Sequence, residues 1–162
     1  MSEELFTTAR ELQDRARREI AEEWQRWNAT LPTESARWPI GAAYLRDSAP
    51  GSLIGDAIVN QLKAVLFQMQ TERFYVPFEH IYFENVSGTD MKARNEFMSL
   101  LEQAEAGAFS AIAAYISSRL FRNIEEAIVV KRQLRLKGVK LFWMGRPAGR
   151  SSSGKWMSYS RS

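Results

Sequence analysis

The sequence predicts an α/β fold in which a mainly parallel sheet of four to five strands carries helices on its faces. Four short runs rich in β-branched and aromatic residues alternate with helical segments between residues 40 and 143. The connections between these runs are long enough to hold a crossover helix, which parallel neighbours in a sheet require. A length of 162 residues, 45% of them hydrophobic and 25% charged, suits one globular domain and excludes disordered, collagen-like and low-complexity chains.

An additional amphipathic helix precedes this alternation. Apolar residues recur every three or four positions from Leu5 to Trp27, with charged residues between them, and the turn-prone residues 28–35 follow. The simpler interpretation is a helix that packs its leucine and tryptophan stripe on the domain body. A coiled-coil or partner-binding helix is the alternative.

Seven elements follow, and strands alternate with helices. The β-rich runs predict strands at residues 40–45, 80–84, 111–116 and 139–143. Apolar residues at helical spacing predict helices from Leu53 to Met69, from about Phe97 to Gly107, and from Asn123 to Gly138. Asn123 with Glu126 three residues later is a capping-box pattern, and Gly138 is a typical helix terminator.

The scarcity of cysteine and histidine excludes several kinds of active site. The chain has no cysteine, which excludes disulfides, cysteine nucleophiles and thiolate metal sites and is compatible with a reducing cytoplasm. The single histidine, His80, excludes a multi-histidine metal site and argues against a serine–histidine–acid triad; we interpret it as structural. No apolar run approaches the ~18 residues of a membrane span, and the charged N-terminus is unlike a signal peptide. We therefore expect a cytoplasmic protein without a membrane partner.

Charge is distributed unevenly along the chain. Residues 1–118 carry 11 lysines and arginines against 17 acidic residues, whereas residues 119–162 carry 11 against two, Glu125 and Glu126. The net charges of the two parts are therefore −6 and +9, and they sum to the +3 of the whole chain. A basic final quarter on an otherwise acidic protein indicates a polyanionic partner.

The ends of the predicted strands carry the residues with the most chemistry. In open parallel sheets, ligands bind beyond the carboxyl ends of the strands. Three of the predicted strand ends, with the segments that follow them, bring a candidate serine nucleophile and four guanidinium groups to one edge of the sheet. These residues are Ser48, Arg46, Arg94, Arg119 and Arg122.

Four arginines near a serine favour phosphoryl-transfer chemistry. A guanidinium group is planar, stays charged at any relevant pH and matches the oxygens of a phosphate, so it stabilises charge that develops during transfer. A serine that attacks a phosphodiester forms a covalent phosphoserine link and divides one transfer into two reversible steps. A magnesium site is an alternative use of nearby acidic residues, which otherwise pair with the arginines: Asp47, Asp56, Glu84 and Asp90.

Several of these segments together resemble the catalytic domain of the serine site-specific recombinases, the resolvase/invertase family. The resemblance runs from about Ile40 to Gly145 in unbroken order and is closer to the large serine recombinases and integrases than to the small resolvases. The matching segments are YLRDS at 44–48, Gln61 in the next helix, Ser87-Gly88 with Arg94, EAGAF at 105–109 and SRLFRN at 118–123.

The resemblance implies a three-layer resolvase-like fold and a specific reaction on DNA. Ser48 would attack a backbone phosphate to leave a 5′-phosphoserine link and a free 3′-hydroxyl, and strands would exchange in a tetramer before the link is reversed. The implied active-site arginines are Arg46, Arg94, Arg119 and Arg122, and the implied supporting residues are Gln61, Ser87, Glu84 and Ser118. The family uses no metal or other cofactor and no small-molecule substrate; its partners are DNA and further copies of itself.

The sequence departs from the family pattern at two acidic positions. Glu84 stands where an aspartate is usual, and Ser118 stands where many members have an aspartate before the arginine. Both changes weaken any assignment of an acidic general acid or base. The loop after Ser48 is also longer, because it includes Pro50 and Gly51.

The resemblance also divides the chain. We expect an N-terminal amphipathic helical extension at residues 1–38, a catalytic domain at 39–145, and a flexible basic tail at 146–162, with the family's dimerisation helix and DNA-binding domain absent. A truncated or degenerate recombinase module with a protein-interaction role is the alternative function. A small-molecule phosphate or nucleotide enzyme is a third.

Overall fold

The sheet is parallel throughout the part of the chain that the structure describes. The computed structural model describes residues 2–47, 54–85, 94–115, 121 and 123–143. The strands are β1 (Ala42–Asp47), β2 (Ile81–Asn85), β3 (Ala111–Ala114) and β4 (Lys140–Trp143). Their order in the sheet is β2-β1-β3-β4, and every neighbouring pair is parallel. The predicted α/β fold with a parallel sheet is therefore confirmed.

The described residues form four α-helices around these strands. They are α1 (Ser2–Ala29), α2 (Ile54–Thr71), α3 (Asn95–Glu105) and α4 (Ile124–Leu136). The predicted cap of α4 is present, since the Asn123 side chain accepts a hydrogen bond from the backbone N–H of Glu126 at 2.7 Å. Gly138, two residues past the end of α4, has a φ of 76°, a conformation that glycine adopts without steric cost.

The helices cover both faces of the sheet and make three layers. Because side chains alternate along a strand, consecutive alanines of β1 and of β3 point to opposite faces of the sheet. Ala43 and Ala113 face the core formed with α1 and α2, whereas Ala42 and Ala114 face the core formed with α3 and α4. The first core is filled mainly by α2, through Ile58, Leu62, Val65, Leu66 and Met69. The second is filled by Phe97, Leu100 and Ala104 of α3 and by Val130 and Leu134 of α4.

Helix α1 is part of the folded body. Ala16, Ile20 and Trp27 are buried in the core beneath α2. The Trp24 indole N–H donates to the Val76 carbonyl at 2.7 Å, and the Trp27 indole N–H donates to the Gln70 side chain at 3.1 Å. The interpretation of α1 as a helix packed through its tryptophan stripe is therefore confirmed for its second half, where the structure describes the side chains.

Two short 3₁₀ helices differ from the sequence expectation. One, Thr33–Arg37, occupies part of the segment expected to be a turn, and its N-cap is Pro32 in an extended conformation. The other, Phe78–His80, ends at the residue expected to begin the second strand. Strand β1 also starts two residues later than expected, because Ile40 makes only an isolated bridge to Tyr75.

His80 packs among aromatic rings. Its imidazole stacks on Tyr82 with ring centroids 6.3 Å apart and meets the edge of Phe109 at 5.1 Å. Partial burial lowers the pKa of His80 below its usual value, and the nearby Glu79 carboxylate opposes this effect. These contacts agree with a structural role for the single histidine.

We expect Trp27→Ala to lower the free energy of unfolding by about 3 kcal/mol, because it leaves a large cavity between α1 and α2. The Trp27 ring is 8% exposed and stacks on Tyr75 with centroids 5.9 Å apart. Urea denaturation followed by circular dichroism measures the change. The control is Arg15→Ala, which removes only an exposed ion pair with Glu19 and should cost less than about 1 kcal/mol. Equal losses for both variants would mean that α1 contributes little to the core.

Candidate active site

The strand order predicts a binding crevice at the carboxyl edge of the sheet. The chain runs from β1 outward to β2, then crosses back to β3 on the other side of β1. In sheets of this kind the helices that follow the two strands flanking the change of direction lie on opposite faces, and the carboxyl ends of these strands form the binding crevice. Here those strands are β1 and β3, which end at Asp47 and Ala114.

Arg46 lies at this edge, one residue before the end of β1. The register places it beside Glu84 of β2, on the same face as Tyr44, and the residue is 7% exposed. Its backbone is held by Gln61 of α2: the Gln61 amide donates to the Arg46 carbonyl at 3.1 Å and its oxygen accepts from the Arg46 N–H at 3.5 Å. The pairing of β1 with β3 ends at Tyr44. The side-chain amide of Gln61 therefore hydrogen-bonds to the backbone of β1 beyond that point.

Glu84 joins β2 to the first turn of α3. One carboxylate oxygen accepts from the Tyr44 hydroxyl at 3.1 Å and from the Phe97 N–H at 3.0 Å, and the other accepts from the Glu96 N–H at 3.2 Å. Arg94 occupies the N-cap position of α3 and has no acceptor in its side chain. Glu84, on β2, therefore caps the N-terminus of α3, because the N-cap residue Arg94 has no side-chain acceptor to do so.

Arg94 is held between α3 and α4. Its Nη1 donates to Oε1 of Glu126 at 2.9 Å, and its guanidinium carbon lies 4.0 Å from the centre of the Phe97 ring. The Arg94 side chain is 5% exposed and that of Glu126 is 18% exposed. The buried guanidinium is thus neutralised by a carboxylate on the first turn of α4 and stacked on an aromatic face.

We call Tyr44, Arg46, Glu84, Arg94 and Glu126 the strand-end cluster. Burial, and after it the Glu84 carboxylate, raise the pKa of Tyr44 well above its usual value, so the hydroxyl stays protonated and donates to Glu84. Burial and the same carboxylate also raise the pKa of the neighbouring Glu96. The cluster carries two guanidinium and two carboxylate groups, so its formal charge is balanced when these four groups are ionised.

Four of the nine predicted site residues lie in the described part of the chain. Arg46, Glu84 and Arg94 come together in the strand-end cluster, and Gln61 supports it from α2. The remaining five lie outside the described residues: Ser48, Ser87, Ser118, Arg119 and Arg122.

Phe121 is the described residue between two of the predicted arginines. It is 6% exposed and belongs to the core under α3 and α4. The Lys131 ammonium of α4 lies 5.8 Å from the Phe121 ring and 4.9 Å from the Trp143 ring. Phe121 itself is therefore packed against α4 and β4.

A family model described as "Resolvase, N terminal domain" matches residues 41–157, which is most of the chain. The chain belongs to the resolvase family. The comparison with curated proteins found no match.

Solved catalytic domains of serine recombinases share the fold of this resolvase-family chain. The N-terminal catalytic domain of TP901-1 integrase aligns with a TM-score of 0.58 at 15% identity, over 75% of this chain and 89% of its own. The C-terminal catalytic domain of ISC1926 TnpA, an IS607-like serine recombinase, gives 0.53 at 17% identity over 68% and 72%. A serine recombinase from Sulfolobus solfataricus gives 0.51 at 22% identity over 67% and 70%.

Two members of the strand-end cluster are absent from the predicted set. Tyr44 alternates with Leu45 on a buried strand, which favours a core residue, and only its hydroxyl contact with Glu84 gives it a place in the cluster. Glu126 is indicated by the sequence as part of a helix start, and its ion pair with Arg94 spans 32 positions of the chain. Local patterns carry no signal for either contact.

Two further features of this resolvase-family chain concern membranes and metals. None of the helices in the described ranges is long and apolar enough to cross a membrane. The same residues contain no group of three or more acidic or histidine side chains placed to hold a metal ion.

Proposed function

We propose that this chain is a serine recombinase catalytic domain that cuts and rejoins DNA through a phosphoserine link at Ser48. The observation that carries the proposal is the position of Arg46 and Arg94 at the carboxyl edge of the sheet. Both belong to one cluster there, and Ser48 follows the last residue of β1 directly. Family membership supports the same reaction.

In the proposed reaction the Ser48 hydroxyl attacks a phosphorus of the DNA backbone. A bond forms between the serine oxygen and phosphorus, and the bond from phosphorus to the 3′-oxygen breaks. The serine proton passes to solvent or a nearby base, and the leaving 3′-oxygen takes up a proton to become a hydroxyl. Religation reverses each of these steps, so the backbone bond energy is retained in the phosphoserine link.

The arginines provide the electrostatic part of this proposal. Charge builds on the nonbridging phosphate oxygens in the transition state, and guanidinium groups that are already fixed stabilise this charge with little reorganisation. Gln61 and Glu84 contribute by fixing the backbone of Arg46 and the start of α3. Arg119 and Arg122, on either side of the buried Phe121, would complete the set of cations.

The proposal is tested by trapping the covalent intermediate. The protein is incubated at low salt with a pool of nicked duplexes of random sequence, in which the cut strand loses a short fragment that carries the 3′-hydroxyl. Because religation then fails, we expect a protein–DNA adduct that survives denaturant, with mass spectrometry placing the phosphodiester at Ser48 after nuclease digestion. Low salt is used because contacts with backbone phosphates weaken steeply as salt rises.

The result also decides between this proposal and the non-catalytic alternative. No adduct, under conditions in which a related serine recombinase is trapped, would contradict the proposal and favour a module that acts through protein association. Hydrolysis of a small phosphodiester by a variant that lacks Ser48 would instead favour a small-molecule enzyme. We further propose that the domain works in the cytoplasm and self-associates during strand exchange.

A further inference from the structure

We infer that two copies of this chain dimerise by docking the N-terminal end of α1 from one copy on the exposed face of α4 of the other. This inference rests on the proposed function, because it names a surface for the self-association proposed there. Two separate observations carry it. One is an aliphatic face that α4 exposes, and the other is a stretch of α1 that continues past the helix on which α1 packs.

Helix α4 exposes aliphatic side chains on the side that is turned away from the sheet. Val130 and Leu134 of this helix are buried in the core. Arg132 and Arg135 are exposed on the opposite side. The aliphatic residues of that side are Ile124, Ile128, Val129 and Leu136, which are 77%, 63%, 55% and 76% exposed. We call these six residues the α4 outer face, and several large apolar side chains exposed together are typical of an interaction surface.

Helices α1 and α2 lie side by side and run in the same direction. Glu19 and Asn60 line one groove between them, and the Trp27 indole N–H donates to Gln70 further along both helices. Both pairs join positions about 40 residues apart, so the first residue of α2 is level with about residue 13 of α1. The preceding part of α1, residues 2–12, extends roughly 16 Å beyond the start of α2 at 1.5 Å per residue.

We call residues 2–12 the projecting segment. Its sequence has apolar residues at Leu5, Ala9 and Leu12, in the spacing that Ala16 and Ile20 continue into the core. The buried residues that the structure describes on α1 begin at Ala16. The apolar stripe of this helix is therefore longer than the surface that α2 offers to it, and an amphipathic helix buries such a stripe on a further surface.

The α4 outer face that receives this segment belongs to a second copy of the chain. Helix α1 packs on one face of the sheet and α4 packs on the other. Because α1 is continuous from Ser2 to Ala29, its first residues cannot turn back across the sheet to α4 of the same chain. In a two-fold arrangement each copy supplies one projecting segment and one outer face, so the dimer closes with both contacts formed twice.

The charges of the two surfaces are complementary. The projecting segment contains three glutamates and one arginine, whereas the last turns of the α4 outer face are basic. An antiparallel pairing of the two helices brings Glu3 and Glu4 level with Arg132 and Arg135. A parallel pairing brings them level with Glu125, where like charges repel. We therefore assign the antiparallel arrangement.

The first test measures the oligomeric state of the whole protein without DNA by analytical ultracentrifugation. We expect a dimer whose dissociation constant rises at least about tenfold in Ile128→Glu, because docking would bury the new charge. The matched control is Phe67→Glu, which makes a comparable change at a 67% exposed position of α2 and should leave the dissociation constant within about twofold. A protein that remains monomeric at about 100 μM, or equal effects of the two variants, would overturn the inference.

A mixing experiment tests whether the two surfaces meet each other. The double variant Leu5→Glu with Leu12→Glu alters the projecting segment, and Ile128→Glu alters the α4 outer face. Each protein alone should be monomeric. Their mixture retains one intact contact and should form a heterodimer that is weaker than the unaltered dimer. A mixture that stays monomeric would contradict the pairing of these surfaces.

The absence of cysteine from the chain permits a direct trap of the antiparallel register. Thr8→Cys mixed with Ile128→Cys should give a disulfide-linked heterodimer under mild oxidation, since these positions come level in that register. Phe67→Cys in place of Ile128→Cys should give little. Equal cross-linking by both would overturn the register. Failure of the proposed reaction has a different outcome: the dimer and the cross-link form, but no covalent DNA adduct does.

Discussion

Replacing Ser48 by alanine should abolish the covalent DNA adduct while leaving the affinity for DNA nearly unchanged. The proposed intermediate requires an oxygen nucleophile at this position, and alanine has none, so no bond to phosphorus forms. Most of the affinity for the DNA backbone comes from cationic side chains and peptide N–H groups rather than from one serine hydroxyl. The adduct is measured on denaturing gels with the nicked duplex pool, and affinity is measured by fluorescence anisotropy with an uncut duplex.

Ser99→Ala is the matched control for this experiment. Ser99 lies on an exposed position of α3 and is not a member of the strand-end cluster. It removes one hydroxyl from the chain and should leave adduct formation unchanged. An adduct of normal yield from Ser48→Ala would contradict the assignment of the nucleophile, and the modified residue could then be identified by mass spectrometry.

Arg94→Lys should slow adduct formation by about 100-fold although it preserves the positive charge. A lysine ammonium has no planar fork to stack on Phe97 as the guanidinium does at 4.0 Å, and it cannot offer two parallel N–H groups to phosphate oxygens. The initial rate of adduct formation with the nicked duplex pool measures the effect. Urea denaturation of the same variant separates a loss of chemistry from a loss of folding.

The control for the arginine variant is Arg132→Lys, on an exposed position of α4. It makes the same chemical change on the helix that carries Glu126, and we expect an adduct rate within about twofold of the unaltered protein. A rate for Arg94→Lys similar to that of Arg132→Lys would show that Arg94 acts only as a charge. A large fall in both would point to a general effect on DNA binding.

The elements that local patterns predict well are those whose signal lies within one helix or strand. The cap of α4 at Asn123 is predicted from a four-residue pattern, because at a helix start the N-cap side chain lies close to the backbone N–H three residues later. The sheet is predicted for a similar reason. Its strands are short apolar runs separated by helices, and parallel pairing is the arrangement that such alternation permits.

Contacts between distant elements account for what the sequence does not reveal. An arginine at the N-cap of α3 contradicts the usual preference at this position, and the structure explains it through Glu84, ten residues earlier on β2. The ion pair of Arg94 with Glu126 depends on how α3 and α4 pack on one face of the sheet. Resemblance to the family identifies Arg94 as a candidate site residue, but tertiary packing determines which carboxylate forms an ion pair with it.

The bonds from Glu84 to the first turn of α3 have a consequence for the length of the chain between these elements. They join the end of β2 to the start of α3 directly, at residues 84 and 96–97. The two attachment points of the intervening segment are therefore fixed by contacts outside it. Extra residues inserted there would raise the entropic cost of folding only slightly, because the cost of closing a loop grows with the logarithm of its length. This segment is thus a place where related chains can differ in length, and so in what they contact, while the sheet and α3 stay the same.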